Sequence, residues 1–261
     1  AAIMTALETA TKIVSRSVST TIARPLVTFK EMFFPLLLVC LASILLTYYD
    51  LERVFSPSEP QVFQIITEEE GGQQIDVRRR DFLVAVLPMA SLILAALGTV
   101  LLAVLWHRRE ILRSRTFGGA RTVFAFILRA FPIGLAVAMA LALPSLVVGH
   151  VGEFWNIASF AVALYLMFRV SLSLPGAAIG NGVSYAYSWR ATRSFALVCA
   201  FLAAFQLGLV LLTTALDAVL FQVGIPWAVI VVGSMLLSVV QVLISVALIT
   251  QLYMSTIDPD G

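Results

Sequence analysis

Six runs of this chain are apolar enough, and long enough, to cross a lipid bilayer. They are Phe33–Tyr49, Phe82–Trp106, Phe131–Val151, Phe154–Leu174, Phe195–Phe221 and Trp227–Met254. A helix rises ~1.5 Å per residue, so about 20 apolar residues span a ~30 Å hydrocarbon layer. Backbone N–H and C=O groups in lipid find no water, so such runs cross as helices that satisfy their own hydrogen bonds. Composition rules out a soluble core instead. The 261 residues are 60% hydrophobic and 12% charged, whereas soluble domains carry roughly a quarter charged residues. The sequence therefore predicts an all-α polytopic membrane protein, a single domain over 1–261 with six transmembrane helices.

The cations orient it. Lys12, Arg16, Arg24, Lys30, Arg108, Arg109, Arg113, Arg115, Arg121, Arg129, Arg190 and Arg193 fall on one side of a six-span chain, with Arg169 at its edge. Arg53, Arg78, Arg79 and Arg80 fall on the other. Lys and Arg accumulate in cytoplasmic segments, so both termini are expected in the cytoplasm. The opening "AAIMTALETATKIVSRS" lacks the apolar core of a cleaved signal, and insertion is expected to rest on the first span. A net charge of +2 gives no argument for nucleic acid as a partner.

The spans pair as three hairpins, each prefaced by a basic amphipathic segment expected to lie in the cytoplasmic interface: 1–30, 107–130 and 175–194. In the first, Leu7, Val14, Val18 and Ile22 form one stripe, with Lys12 and Arg16 elsewhere. In the second, Gly118-Gly119 is the expected hinge. In the third, Pro175-Gly176 is expected to end the fourth span. There Tyr185, Trp189 and Thr192 recur at helical spacing, while Arg190 and Arg193 can face headgroups. Segment 51–81, with "EEEGGQQIDVRRRD", is expected to be an external loop whose opposite charges fold on themselves; a docking patch is the alternative.

Two sets of polar side chains lie within the spans. Gln206, Thr213 and Asp217 share one face of the fifth; Ser234, Ser238, Gln241 and Ser245 share one face of the sixth. A short external turn joins these antiparallel spans, so the stripes can meet and hold the helices together, as polar side chains do in lipid. A polar path for a substrate is the alternative. Asp217 lies near the external end, where Arg78, Arg79 or Arg80 could partner it. Ser91, Ala95 and Gly98 form a small-residue stripe for close approach in the second span. Arg169 lies near the cytoplasmic end of the fourth span, where its guanidinium can snorkel to headgroups or reach the loop below.

Chemistry is hard to find. No phosphate-binding loop, metalloprotease, nucleophile-elbow or calcium-loop pattern occurs. His107 and His150 fall on opposite sides and cannot form one pigment or metal site together; each reads as a polar interfacial residue. Cys40 and Cys199, inside apolar runs, read as small core residues. No catalytic, cofactor-binding or metal-binding residue is assigned.

"VFSPSEPQ" (54–61), "SYAYSWRATRS" (184–194) and "LITQLYM" (248–254) resemble an uncharacterised six-span family of bacterial inner-membrane proteins. Its relatives include the membrane domain attached to some glycerophosphodiester phosphodiesterases. The resemblance implies a bacterial inner-membrane location and leaves function open. The expectation is a non-enzymatic accessory, scaffold or assembly subunit that contacts anionic lipid headgroups and other integral membrane proteins. Arg169, Trp189, Arg190 and Arg193 are its candidate interface residues, and a transporter of a lipid or small amphiphile is the alternative.

Overall fold

The computed structural model describes residues 2–22, 30–55, 74–148 and 153–257. They form nine helices: α1 (Ala2–Ile22), α2 (Phe33–Phe55), α3 (Gln74–Leu112), α4 (Ala120–Val148), α5 (Glu153–Val170), α6 (Ser173–Ile179), α7 (Tyr185–Ala191), α8 (Ala196–Gln222) and α9 (Trp227–Ile257). No strand occurs among the described residues. Four helices are long and apolar enough to cross a membrane, over Met89–Leu112, Ala120–Met139, Ala196–Gln222 and Val232–Ile257. A fifth candidate is the pair α5–α6, bent by 42°, and α2 contributes a shorter apolar stretch, Phe33–Ala42. The architecture is all-helical and consistent with a multi-pass membrane protein.

Several boundaries differ from the sequence reading. Segment 51–81 is helical at both ends, since α2 runs to Phe55 and α3 begins at Gln74. The arginines of "DVRRRD" thus stand on a helix, not in a hairpin; 56–73 lies outside the described residues. Segment 107–130 is no separate helix. It is the end of α3, a loop over 113–119 and the start of α4. The turn falls at Gly118-Gly119 as expected, with φ of 72° and 90°. Only glycine takes such angles without strain. A Cβ on Gly118 would also stand 2.6 Å from Arg108 Nη1.

The chain divides into two compact units. The first holds 1–33 and 100–261. In it α1 packs on α8 and α9, and α5 packs on both α4 and α8. The core is built from Phe168, Cys199, Leu202, Leu248 and Leu252, each fully or almost fully buried. The face of α1 turned to this core carries Ala10, Ile13, Ser17 and Thr21. It is not the stripe the sequence singled out, whose Leu7 and Ile22 are exposed. The physical reason is size. Small residues let a helix lie close across two others, while bulky Ile3, Met4 and Leu7 remain outward beside the Lys12 and Arg16 face.

The second unit, 34–99, holds α2 and the first part of α3. Ser91 and Gly98, two turns apart, are both buried, as the small-residue stripe anticipates. A Cβ on Gly98 would meet the Pro35 carbonyl oxygen at 2.9 Å and Val39 Cγ2 at 2.9 Å. Replacing a helix-interior glycine by alanine ordinarily gains about 0.5–1 kcal/mol. Here overpacking against backbone should reverse the sign, so Gly98→Ala is expected to cost about 1 kcal/mol net. Thermal unfolding in detergent checks this, and a gain in stability would refute the close approach.

Candidate functional site

The site forms where α5 breaks. Ser171 and Leu172 interrupt the helix, so the last carbonyls of α5 lose the regular partners four residues on. Leu174 N–H turns to the Ser171 carbonyl instead, at 2.9 Å. Hydroxyls fill the gap. Ser171 donates to the Phe168 carbonyl (3.1 Å) and Ser173 to that of Val170 (2.9 Å). Ser188 donates to the Arg169 carbonyl (2.9 Å), which also has Thr192 Oγ1 at 3.1 Å. Ser171, Ser173, Ser188 and Thr192 are all 0% exposed, and buried polar groups must be bonded to be tolerated.

Pro175 and Gly176 do not end the span, as the sequence reading had it. They lie inside the short buried helix α6, and the chain turns at Gly180, whose φ is 81°. Proline has no N–H to donate, but a first helical turn needs none from it. Glycine follows because a Cβ there would meet Val183 Cβ at 2.8 Å. The expected interfacial segment 175–194 is therefore two pieces: buried α6, then the exposed turns of α7, capped by Ser184 Oγ accepting from Tyr187 N–H.

Arg169 is buried at 6% exposure. Of the two fates open to it, it takes the inward one and reaches the loop below. Nε donates to Thr192 Oγ1 (2.9 Å), Nη1 to the Tyr165 hydroxyl (2.9 Å) and Nη2 to the Trp189 carbonyl (3.0 Å). The guanidinium also lies over the Trp189 ring, 4.1 Å from its centroid. No carboxylate pairs with it among the described residues. A buried charge is costly unless richly bonded; oxygen dipoles and an aromatic face supply the bonding here.

Two more arginines secure the segment after the break. Arg108 donates to the Thr116 carbonyl (2.8 Å) and to that of Ala178 (3.0 Å), near the C-terminal end of α6. A cation there offsets the partial negative charge of exposed carbonyls. Arg129 Nη1 reaches the carbonyls of Ser173 (3.2 Å) and Asn181 (3.4 Å). Tyr185 returns a hydrogen bond to the Arg129 carbonyl at 2.7 Å. Burial pushes the Tyr185 phenol above its usual range, with Arg129 pulling the other way, so it stays a donor. Glu31 is taken by Arg115 (3.1 Å) and Arg109 (3.4 Å), and Arg109 also reaches Glu110 (3.7 Å). Arg108, Arg129, Arg169, Arg190 and Arg193 pair with no acid among the described residues.

Trp189, Arg190 and Arg193 are exposed on and just after α7. An apolar groove of about 230 Å³ runs between α4 and α5, lined by Ile133, Val137, Ala163, Leu166, Val170 and Trp189. A more polar hollow of about 430 Å³ lies on the other side of α7, against Asn181, Ser184, Tyr187 and Arg190.

The two polar stripes meet at one point. Ser234 Oγ lies 2.6 Å from Asp217 Oδ1 and 2.8 Å from the Ile230 carbonyl. Asp217 thus has a partner on α9; the side chains of Arg78, Arg79 and Arg80 lie outside those described. The rest of the stripes do not join. Thr213, Ser238 and Ser245 bond back to carbonyls of their own helices, a habit of hydroxyls in helices. Gln241 is half-buried, and Gln206 Oε1 is buried without a partner among the described residues.

His107 departs from the interfacial reading. It is 1% exposed, with Nδ1 2.8 Å from Thr250 Oγ1 and its ring beside Phe126. His150 lies outside the described residues, and among those described no three His, Cys, Asp or Glu side chains could hold a metal ion. Ser188 and Tyr165, which sequence reasoning missed, did leave a trace. Ser188 stands four positions from both Ser184 and Thr192, and Tyr165 precedes Arg169 by four, each spacing placing its members on one helical face. Compared with models of protein families, with curated proteins and with solved structures, the chain matches none.

Proposed function

We propose that this chain is a non-enzymatic integral protein of the bacterial inner membrane, with six spans in three hairpins and both termini in the cytoplasm. It acts as an accessory or assembly subunit through contacts with anionic lipid and other integral membrane proteins. The cation distribution supports the orientation, with the α5–α6 pair as the fourth span and α2 as the first. Two of the three segments that resemble the six-span family, 184–194 and 248–254, contain α7 and the buried end of α9 around the Arg169 junction. One observation carries the functional reading. The junction is strongly cationic and its arginines have no acid partner among the described residues; its inner arginines spend donors on carbonyls and hydroxyls, and its outer ones, Arg190 and Arg193, stand exposed beside Trp189. Such a surface suits an anionic headgroup layer.

The bent α5–α6 pair with a buried arginine favours a second reading, a transporter of a lipid or amphiphile, because transporters use interrupted helices at their binding sites. It is the weaker one. The carbonyls of Phe168, Arg169 and Val170 are already taken by hydroxyls, so the break presents little to a substrate.

Hydrogen exchange over 185–196 tests the leading reading, comparing wild type with Arg190→Gln/Arg193→Gln in anionic and zwitterionic nanodiscs. Each juxtamembrane cation gains about 1 kcal/mol from an anionic leaflet. Losing both removes about 2 kcal/mol, so exchange in the double variant should rise about thirtyfold in anionic lipid and stay level in zwitterionic lipid. No change in either lipid would remove the lipid half of the proposal and leave these arginines for a protein partner.

A further inference from the structure

We propose that the groove between α4 and α5 holds one acyl chain of an anionic phospholipid, and that Arg129 holds its phosphate. This rests on the lipid-contact reading above but names a single built site, where that reading needs only a charged surface. The groove is almost wholly apolar, and its volume of about 230 Å³ falls below the ~300–1,000 Å³ of ordinary small-molecule sites. That suits part of one acyl chain lying along an open groove. Its lining comes from facing stripes of two helices, with Ala163 at the floor, 2% exposed, and Leu166 at the rim, 43% exposed.

Charge decides the kind of lipid. Ile133 lines the groove, and Arg129 sits four residues earlier on α4, one turn away on the same face. Its Nη1 is committed to the Ser173 and Asn181 carbonyls. Its Nε and Nη2 donors have no partner among the described residues, and no carboxylate neutralises it there. A half-buried guanidinium with free donors and no acid lacks an anion, and the fork of N–H groups matches phosphate oxygens. Trp189 lines the groove, and the Arg169 guanidinium lies over its ring. Indole rings favour this depth of the membrane.

The test fills the groove. Ala136 lines it and is exposed, so Ala136→Phe should block a chain without disturbing the fold. Wild type and variant are taken from nanodiscs containing equal amounts of phosphatidylglycerol and phosphatidylcholine, and retained lipid is counted by native mass spectrometry. Wild type should keep one phosphatidylglycerol per chain, and the variant's retention should fall at least about tenfold at an unchanged unfolding temperature. Arg129→Lys keeps the charge but loses the fork, and should keep less phosphatidylglycerol than wild type. Equal retention by wild type and Ala136→Phe overturns the proposal, as does equal retention of the two lipids. Loss of the lipid to inorganic phosphate alone would likewise overturn it, since the chain would then add nothing. If Ala136→Phe is silent while Arg190→Gln/Arg193→Gln still responds to anionic lipid, only the site fails. If both are silent, the lipid reading itself fails.

Discussion

Arg169→Met should lower stability by about 3 kcal/mol in detergent, measured by denaturant or thermal unfolding. Methionine fills much of the volume, yet it leaves the Trp189 carbonyl, the Tyr165 hydroxyl and Thr192 Oγ1 without their donor. Each buried group so orphaned costs about 1–3 kcal/mol, and the stacking on Trp189 goes as well. Buried charges can often be replaced by apolar residues at little cost when their partners are replaced too. Here two of the acceptors are backbone or aromatic hydroxyl groups in fixed positions. Arg169→Lys should recover little, because a point-charge ammonium cannot reach three acceptors and lie flat on a ring. Wild-type stability in Arg169→Met would show that the junction contributes nothing to the fold.

Gln206→Leu should move stability the other way, up by about 1–2 kcal/mol, because the residue is 6% exposed and its buried amide oxygen has no hydrogen-bond partner among the described residues. Removing an unsatisfied acceptor recovers its desolvation cost, and leucine adds apolar contact beside Leu202 and Ala203, which share the buried face of α8. The same unfolding assay reads it. A loss of stability instead would mean that the amide is engaged by water or substrate, which is what the transporter reading requires.

The sequence alone carried the placement of most helices. Runs such as Phe195–Phe221 and Trp227–Met254 nearly coincide with α8 and α9, because an uninterrupted apolar stretch in lipid has one way to satisfy its backbone. Face-sharing was legible too. The spacing of Asp217 and Ser234 within their stripes anticipated the one contact that forms between them. The Gly98 approach was readable from the small residues two turns apart.

The tertiary structure decided what each polar residue does. Pro175 marked a break in the sequence, but the break lies earlier, at Ser171 and Leu172, where the Ser188 and Thr192 hydroxyls are placed to donate to the freed Arg169 carbonyl. Those hydroxyls are 19 and 23 residues away from Arg169, beyond any local pattern. Arg169 could have snorkelled outward; the Trp189 carbonyl and ring drew it in. Gln206 lay on a recognisable stripe, yet no spacing reveals that its oxygen finds no hydrogen-bond donor among the described residues. His107 read as interfacial until Thr250, 143 residues on, gave its ring a buried partner. Hydrophobic periodicity is a property of one helix and can be read along the chain. Hydrogen-bond satisfaction belongs to pairs of helices, and only their packing determines it.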